Sequence, residues 1–181
     1  MSIVSRLVGH KGTDLVVQAL DGIVECGCQL LVLGQGETHY ENAFREAQAR
    51  WPGRVSAQIT YSDGLARRVY AGSDLLLMPS RSEPCGLSQM IAMRYGTVPI
   101  VRSTGGLRDT VLPPESAEGC GFVFEQYDAY HLLCEVRRAA QMLRQAPDEF
   151  AALRRRGMTK DFSWDASARE YLRIYESISG R

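Results

Sequence analysis

Glu83, Gly86 and Ser88 bring a carboxylate, a flexible backbone position and a hydroxyl close together in the chain. They follow residues 74–78, an apolar run typical of a buried parallel strand, and they lead into residues 87–95, where apolar positions recur at helical spacing. In open α/β sheets ligands bind where strands end, and the start of a helix attracts phosphate. The segment therefore predicts a ligand site whose carboxylate is suited to sugar hydroxyls.

Three other predicted strand ends carry groups that such a ligand would need. The first contains two cations, Arg6 and Lys11; the second has the aromatic residue Tyr61; the third is the glycine loop 103–106. Because the carboxyl ends of parallel strands share one edge of a sheet, these groups are expected near Glu83. Cations and free N–H groups suit a pyrophosphate, and an aromatic ring suits a base or a sugar face.

Each of these residues also has a structural interpretation that the sequence leaves open. Arg6 and Lys11 could be solvated surface charges, and Tyr61 could flank the core. Glu83 could pair with Arg81 inside its own loop. Lys11 stands between a histidine and a glycine in a strand-end loop, which favours a phosphate contact. The histidines have no spacing that suggests a metal site or a catalytic triad.

The elements that must position these residues alternate between short apolar strands and amphipathic helices. The first strand is expected at residues 3–4, with Thr13 as the N-cap of a helix over residues 14–24. Later strands are predicted at residues 29–33, 55–59, 74–78, 98–101 and 121–124, and three closing helices begin near residues 129, 147 and 164. Pro99 favours an edge position for the strand at residues 98–101. This alternation predicts an α/β fold, a doubly wound parallel sheet with helices on both sides.

Composition excludes several kinds of partner for this chain of 181 residues. It has 21 Lys and Arg against 21 Asp and Glu, so the formal net charge is zero and no global positive field would attract nucleic acid or a membrane surface. No apolar run approaches the ~18 residues that a membrane helix needs. The five cysteines are scattered and odd in number, which favours reduced thiols in the cytosol.

A dinucleotide-binding enzyme is a weaker alternative. Gly34-Gln35-Gly36 follows a predicted strand and could cradle a phosphate, but Thr38 and His39 occupy the region where a third glycine would complete the fingerprint. No acidic residue stands at the second strand end. A tight strand-to-helix turn is therefore the favoured interpretation, and an enzyme that uses NAD is improbable.

Several motifs resemble the bacterial glycogen synthase and plant starch synthase family. They lie at residues 5–12, at Tyr61, and in the segments 79–89 (PSRSEPCGLSQ), 94–99 (RYGTVP), 104–110 (TGGLRDT) and 161–164 (DFSW). The succession of E-P-C-G-L, R-Y-G-T and T-G-G-L is highly specific, and the resemblance covers nearly the whole chain. It implies the C-terminal, donor-binding half of a GT-B fold, in which two Rossmann-like domains face a cleft.

The resemblance implies a retaining glucosyltransferase that moves glucose from ADP-glucose to an α-1,4-glucan and releases ADP, without a metal or another cofactor. Residues 1–160 would form the Rossmann-like nucleotide-sugar-binding domain, and residues 161–181 a C-terminal crossover helix. The glucan would bind through an N-terminal domain that this chain lacks, so we expect it to bind ADP or ADP-glucose without efficient turnover. The implied location is the bacterial cytoplasm, or the plastid stroma in a plant.

The resemblance also assigns roles to individual residues. Arg6 and Lys11 would bind the diphosphate, Glu83 would lie beside the donor glucose, and these three would be the catalytic residues. Tyr61 would stack on adenine. The remaining donor-binding residues would be Cys85, Gly86, Leu87, Ser88, Thr104, Gly105 and Gly106. Fixed cations and N–H dipoles would stabilise the charge that develops on the leaving phosphate.

Ile91 separates two groups of related enzymes, and one alternative function remains open. Ile91 stands where other retaining GT-B families carry a second glutamate, which favours the glycogen synthase group over the sucrose synthase-like group. A non-catalytic nucleotide-binding or assembly module remains the alternative function. The closing helix supports assembly through self-association, since one face of it would leave apolar side chains unburied: Trp164, Ala168, Tyr171, Leu172, Tyr175 and Ile178.

Overall fold

Six parallel strands form one sheet in the order β3-β2-β1-β4-β5-β6 in the computed structural model, which describes residues 1–180. The strands are β1 Ser2–Val4, β2 Leu30–Leu33, β3 Val55–Gln58, β4 Leu75–Met78, β5 Val98–Arg102 and β6 Phe122–Phe124. Strands β1 to β3 are added in sequence order toward one edge of the sheet. The chain then returns, and β4 pairs with the other side of β1. A crevice is expected where the strand order reverses, between β1 and β4. The doubly wound parallel sheet predicted from the sequence is confirmed.

Eight α-helices separate or follow these strands in the described part of the chain. They are α1 Thr13–Glu25, α2 Thr38–Arg50, α3 Asp63–Gly72, α4 Ser88–Arg94, α5 Gly105–Thr110, α6 Ala129–Gln145, α7 Pro147–Thr159 and α8 Trp164–Ser179. Three of them begin with a side-chain cap: Ser62 Oγ accepts from the Leu65 N–H, Asp128 from the His131 N–H, and Ser163 Oγ from the Ala166 N–H. Such caps satisfy N–H groups that a helix start otherwise leaves unpaired.

The core lies on the sheet surfaces, beneath the helices. Phe44 from α2, Phe122 from β6 and Phe150 from α7 are fully buried. The inner strand β4 is apolar on both faces, as expected for a parallel sheet covered on both sides, and its Leu75, Leu76 and Leu77 are all buried. This packing fixes the strand ends, and the strand ends carry the candidate site residues.

The start of α1 differs from the prediction that Thr13 caps it. Gly12 is the N-cap, with a left-handed backbone (φ 76°), and Thr13 is the first helical residue. The Thr13 hydroxyl donates instead to Val8 O at 3.0 Å. Gly12 is required because a Cβ there would lie 2.0 Å from Pro79 O, so this turn approaches the end of β4 too closely for any side chain.

Two further sequence predictions are wrong, one about Pro99 and one about residues 105–110. Pro99 lies in β5, which is an inner strand between β4 and β6. The Val98 N–H donates to Asp74 O on the β4 side, so the nitrogen of Pro99 faces β6, whose pairing begins only at Ile100. The missing N–H is tolerated because no ladder bond is needed there. Residues 105–110, expected as part of a loop, form the short helix α5.

The closing helix α8 contains no buried residue. The apolar side chains predicted to share one face are exposed, with Trp164 at 89% and Ile178 at 77% of their full accessibility. In the described residues, therefore, nothing covers this face. None of the helices in residues 1–180 combines the length and apolar character needed to cross a membrane.

Candidate functional site

Two adjoining cavities open at the carboxyl edge of the sheet, around the ends of β1 and β4. The smaller has a volume of about 240 Å³ and the larger about 1210 Å³, and both are lined by Ser5, Arg6 and Ser88. The predicted site residues that line the smaller cavity are Arg6, Lys11, Glu83, Gly86, Leu87 and Ser88. Tyr61 lines the larger one. The topology thus brings together residues that are distant in the sequence.

Lys11 and Glu83 form the charged centre of the smaller cavity. Lys11 Nζ lies 2.6 Å from Glu83 Oε2, and the side chains are only 22% and 8% exposed. The Ser80 hydroxyl donates to the same oxygen at 3.3 Å. Glu83 does not pair with Arg81, since the ion-pair partner of Arg81 is Asp14 at 4.0 Å. A partly buried ammonium at a cavity wall is suited to an incoming anion.

Lys11 is presented by a short 3₁₀ turn, Gly9–Lys11, which is held from two sides. On one side the Arg81 N–H donates to His10 O at 2.9 Å, which ties the turn to the loop after β4. On the other side the Tyr127 hydroxyl lies 3.2 Å from Gly9 O. The main chain that carries Lys11 is therefore held from two sides, by a main-chain hydrogen bond and by a side-chain hydroxyl.

Tyr127 joins this turn to α1 and to two arginines. Its hydroxyl donates to Asp14 Oδ1 at 2.6 Å, and the guanidinium groups of Arg81 and Arg102 lie 4.4 and 5.4 Å from the centre of its ring. Burial raises the pKa of Tyr127 to about 12, and the hydrogen bond to Asp14 acts in the same direction, because it favours the protonated phenol.

The Tyr127→Phe variant is expected to lose stability in a pH-dependent way. Below pH 10 the protonated phenol donates its hydrogen bond, so wild type should be more stable by about 1 kcal/mol. Since the folded-state pKa is raised above the unfolded value, this advantage should be lost as pH rises from 10 to 12. Urea unfolding of both proteins at pH 9 and pH 11.5 measures the difference, and a constant difference would contradict the prediction.

Arg6 is the second cation of the site. It follows β1 directly, is exposed, and lines both cavities. Among residues 1–180 the arginines that form ion pairs are Arg45, Arg50, Arg81, Arg138, Arg154, Arg169 and Arg173. Arg6 has no carboxylate partner within this part of the chain, which leaves its guanidinium free for a ligand.

The loop after Glu83 turns its carbonyl groups toward the protein interior. The Gly106 N–H lies 3.1 Å from Glu83 O and 3.2 Å from Pro84 O, and Gln89 Nε2 donates to Cys85 O and Gly86 O at 3.1 and 2.9 Å. In a trans peptide the following N–H points the opposite way. The N–H groups on the opposite side of these peptides belong to Cys85, Gly86 and Leu87, and they have no partner within residues 1–180.

Comparison with known proteins identifies the family. Residues 1–150 match the model of the glycosyl transferases group 1 family. The chain belongs to this family. It is 47% identical over 180 residues to the glycogen synthase of Desulfitobacterium hafniense, an alignment that spans 98% of this chain and 38% of that protein. It is 49% identical over 176 residues to the glycogen synthase of Thermotoga maritima, spanning 96% and 36%.

A solved structure supports the same placement of this glycosyl transferase domain. The catalytic domain of starch synthase IV from Arabidopsis thaliana, bound to ADP and acarbose, superposes with a TM-score of 0.88 at 33% identity, covering 99% of this chain and 38% of that one. The predicted resemblance and the predicted C-terminal half of a GT-B fold are confirmed. This glycosyl transferase domain spans less than two fifths of the length of these relatives.

Four predicted donor-binding residues of the glycosyl transferase domain line neither cavity: Cys85, Thr104, Gly105 and Gly106. A Cβ on Gly105 would lie 2.1 Å from Glu83 O, and one on Gly106 would lie 2.4 Å from Cys85 O. The glycines therefore let α5 approach the backbone of the loop after Glu83. Their contact with a donor stays a prediction, and so does that of the exposed Cys85.

Sequence reasoning missed two polar residues of this glycosyl transferase site. Ser80 is buried beside Glu83, and Gln89 is completely buried beneath the loop that carries Gly86. Both stand inside the PSRSEPCGLSQ segment. A signal was available for Gln89: it precedes the buried Ala92 and Met93 by three and four residues, so it shares their face of α4. A buried polar side chain on such a face needs a hydrogen-bond partner.

Proposed function

We propose that this chain is the donor-binding part of a glycogen or starch synthase that transfers glucose from ADP-glucose to an α-1,4-glucan, with retention at the anomeric carbon and release of ADP. One observation carries the proposal: Lys11, Glu83 and the residues Gly86 and Leu87, whose N–H groups are unpaired, meet at one small cavity, next to Arg6. No metal and no further cofactor is part of it.

The cations and the N–H groups account for the chemistry at the phosphates. When the glycosidic bond to the diphosphate breaks, negative charge develops on the leaving ADP, and donors that are already in place stabilise it without reorganising. Arg6 is unpaired in the described residues, and Lys11 would exchange its contact with Glu83 for one with phosphate. The Glu83 carboxylate would then accept hydrogen bonds from hydroxyls of the donor glucose.

The nucleoside would occupy the larger cavity. Tyr61 is 79% exposed at its wall, so its ring is available to stack on a base. Ser5, Arg6 and Ser88 line both cavities, which gives the base and the diphosphate one continuous path. Adenine is favoured because the starch synthase IV relative was solved with ADP.

The isolated chain is expected to bind ADP-glucose without making glucan. Tyr61 and Arg6 are exposed, so residues 1–180 neither exclude water from the donor nor supply a wall against which a glucan end could be oriented. Positioning of two reactants can account for about 7–11 kcal/mol of a barrier. Incubation with radiolabelled ADP-glucose and glycogen should give no label in glucan.

The matched positive control for this assay is the full-length glycogen synthase of Thermotoga maritima. If the isolated chain incorporated label at a sustained rate, the proposed division of labour would be wrong. If it bound ADP without turnover even when joined to the remaining length of such a relative, a non-catalytic module would be the better description.

The α8 face is proposed to drive self-association of the isolated chain. Trp164, Leu172, Tyr175 and Ile178 are all more than half exposed, and an apolar stripe of this kind loses water contact when two copies meet. The apparent mass in sedimentation velocity should rise with concentration, and Trp164→Ser should weaken that rise. A chain that stays monomeric at high concentration would rule this out.

The cytoplasmic location is likewise a proposal, and its support is cysteine usage. The five cysteines are free thiols, and no disulfide joins any of them in the described residues. Reduced thiols at scattered positions are typical of proteins from reducing compartments.

A further inference from the structure

Gln89 has an unusual set of hydrogen bonds for a fully buried side chain. Its amide nitrogen lies 3.1 Å from Cys85 O, 2.9 Å from Gly86 O and 3.1 Å from Thr110 Oγ1. The residue has no exposed surface. It therefore reaches from α4 to the loop before that helix and also to α5.

The groups that lie around this amide nitrogen are all acceptors. The Thr110 hydroxyl donates to Gly106 O at 2.6 Å, so its oxygen faces Gln89 as an acceptor. The other two partners are main-chain carbonyls. Three acceptors around one atom require a donor there, which fixes the orientation of the Gln89 amide. A carboxylate at the same position would place oxygen against oxygen.

The loop is shaped to receive this side chain. Gly86 has a left-handed backbone (φ 78°), and a Cβ on it would lie 2.5 Å from Gln89 Oε1. The amide thus packs directly under the Gly86 peptide. By holding the carbonyls of Cys85 and Gly86 inward, it turns the N–H groups of Gly86 and Leu87 outward, because the two groups of a trans peptide point in opposite directions.

We propose that Gln89 is a positioning residue, which aims the N–H groups of Gly86 and Leu87 at the diphosphate of the donor. This inference rests on the proposed function, since the ligand is the same nucleotide. Gln89 itself touches no ligand, because it is buried on the protein side of the loop. It acts through the two peptide groups that it holds.

Two variants test this role by calorimetric titration with ADP. Gln89→Glu keeps the size of the side chain but removes both donors, and Gln89→Met removes the polar head without adding charge. Each should weaken ADP binding on the order of tenfold, since small misplacement of positioned groups is costly. Adenosine, which lacks phosphate, should bind equally to wild type and to both variants when followed by saturation-transfer NMR.

Gln29→Glu is the matched control. The amide of Gln29 also donates to a main-chain carbonyl, Gly53 O at 3.0 Å, but the residue lines neither cavity. This variant should bind ADP as wild type does. Circular dichroism and urea unfolding of all variants show which of them are folded, and Gln89→Met decides if Gln89→Glu does not fold.

The outcomes separate this inference from the proposed function. If wild type does not bind ADP, the proposed function itself fails. If wild type binds ADP and folded Gln89 variants bind it equally well, the positioning role is overturned. It is also overturned if ADP and adenosine lose affinity in parallel, because that pattern indicates general damage to the fold. If neither Gln89 variant folds, Thr110→Val decides, since it removes one anchor of the amide and should again weaken ADP but not adenosine.

Discussion

Lys11→Ala is expected to raise the dissociation constant for ADP by about ten- to a hundredfold. A hydrogen bond to a charged group contributes about 1.5–3 kcal/mol, and each 1.4 kcal/mol is a factor of ten in affinity. The Lys11 ammonium lies at the wall of the smaller cavity, where it contacts Glu83. The 3₁₀ turn fixes the main chain of Lys11, so only the side chain must change partner when phosphate binds.

Lys160→Ala is the matched control, because Lys11 and Lys160 are the only lysines in the chain. Lys160 Nζ donates to Thr110 O at 3.2 Å and lines neither cavity. Removing this charge should leave the affinity for ADP unchanged in a calorimetric titration. Equal losses in the two variants would mean that net charge, and not a positioned ammonium, governs binding.

The Lys11 substitution also leaves the buried Glu83 carboxylate without its partner, and that carries a structural cost. Unpaired buried charges of this kind destabilise proteins by about 3–5 kcal/mol. The double variant Lys11→Met with Glu83→Gln removes both charges and should unfold at a higher urea concentration than Lys11→Ala. If this variant regained ADP binding, the loss in Lys11→Ala would reflect misfolding and not a lost phosphate contact.

Gly12→Ala is expected to destabilise the chain in two ways, through its backbone angle and through a steric clash. An alanine at φ 76° costs about 1–2 kcal/mol wherever the left-handed backbone is kept. Here the added Cβ would also lie 2.0 Å from Pro79 O and 2.9 Å from Pro79 Cγ, so the start of α1 must move away from the end of β4. Forced displacement in packed structure typically adds about 1–3 kcal/mol.

Gly53→Ala isolates the backbone part of this cost. Gly53 has almost the same backbone angle (φ 74°), but a Cβ there would meet nothing within 4 Å. Urea unfolding should therefore show a loss of about 1–2 kcal/mol for Gly53→Ala and a clearly larger loss for Gly12→Ala. Similar losses in the two variants would show that the approach of Gly12 to Pro79 is not rigid.

The same two variants, Gly12→Ala and Gly53→Ala, also test whether the contact at Gly12 affects ADP binding. Gly12 follows Lys11 directly, so a displaced turn would also displace the ammonium from the cavity wall. Folded Gly12→Ala should bind ADP more weakly than wild type, whereas Gly53→Ala should bind it equally well. The site is thus expected to depend on a main-chain contact that involves no ligand.

Much of the fold could be predicted because its signals are local. The helix α6 extends from Ala129 to Gln145, as the sequence indicated, since Asp128 caps one end and Pro147 begins the next helix. The site could be located at one sheet edge for a topological reason. All strands are parallel, so the residues after β1 and β4 had to meet.

The features that the sequence did not predict depend on contacts between segments that are far apart in the sequence. Gly12, and not Thr13, is the N-cap of α1, and no local pattern reveals the contact with Pro79 that requires a glycine there. Glu83 had a plausible partner in Arg81, two residues earlier, yet Lys11 was closer in space. Gln89 was passed over as a helix residue because its three acceptors come from two separate segments.

The most direct test of the account is calorimetric titration of this chain with ADP, UDP and NAD. A donor half-site built from Arg6, Lys11 and the N–H groups after Glu83, with Tyr61 at the base, should bind ADP most tightly, UDP more weakly, and NAD not measurably. Preference for NAD, or the absence of any ADP binding by the folded chain, would contradict the claim that this sheet edge is a donor-nucleotide site.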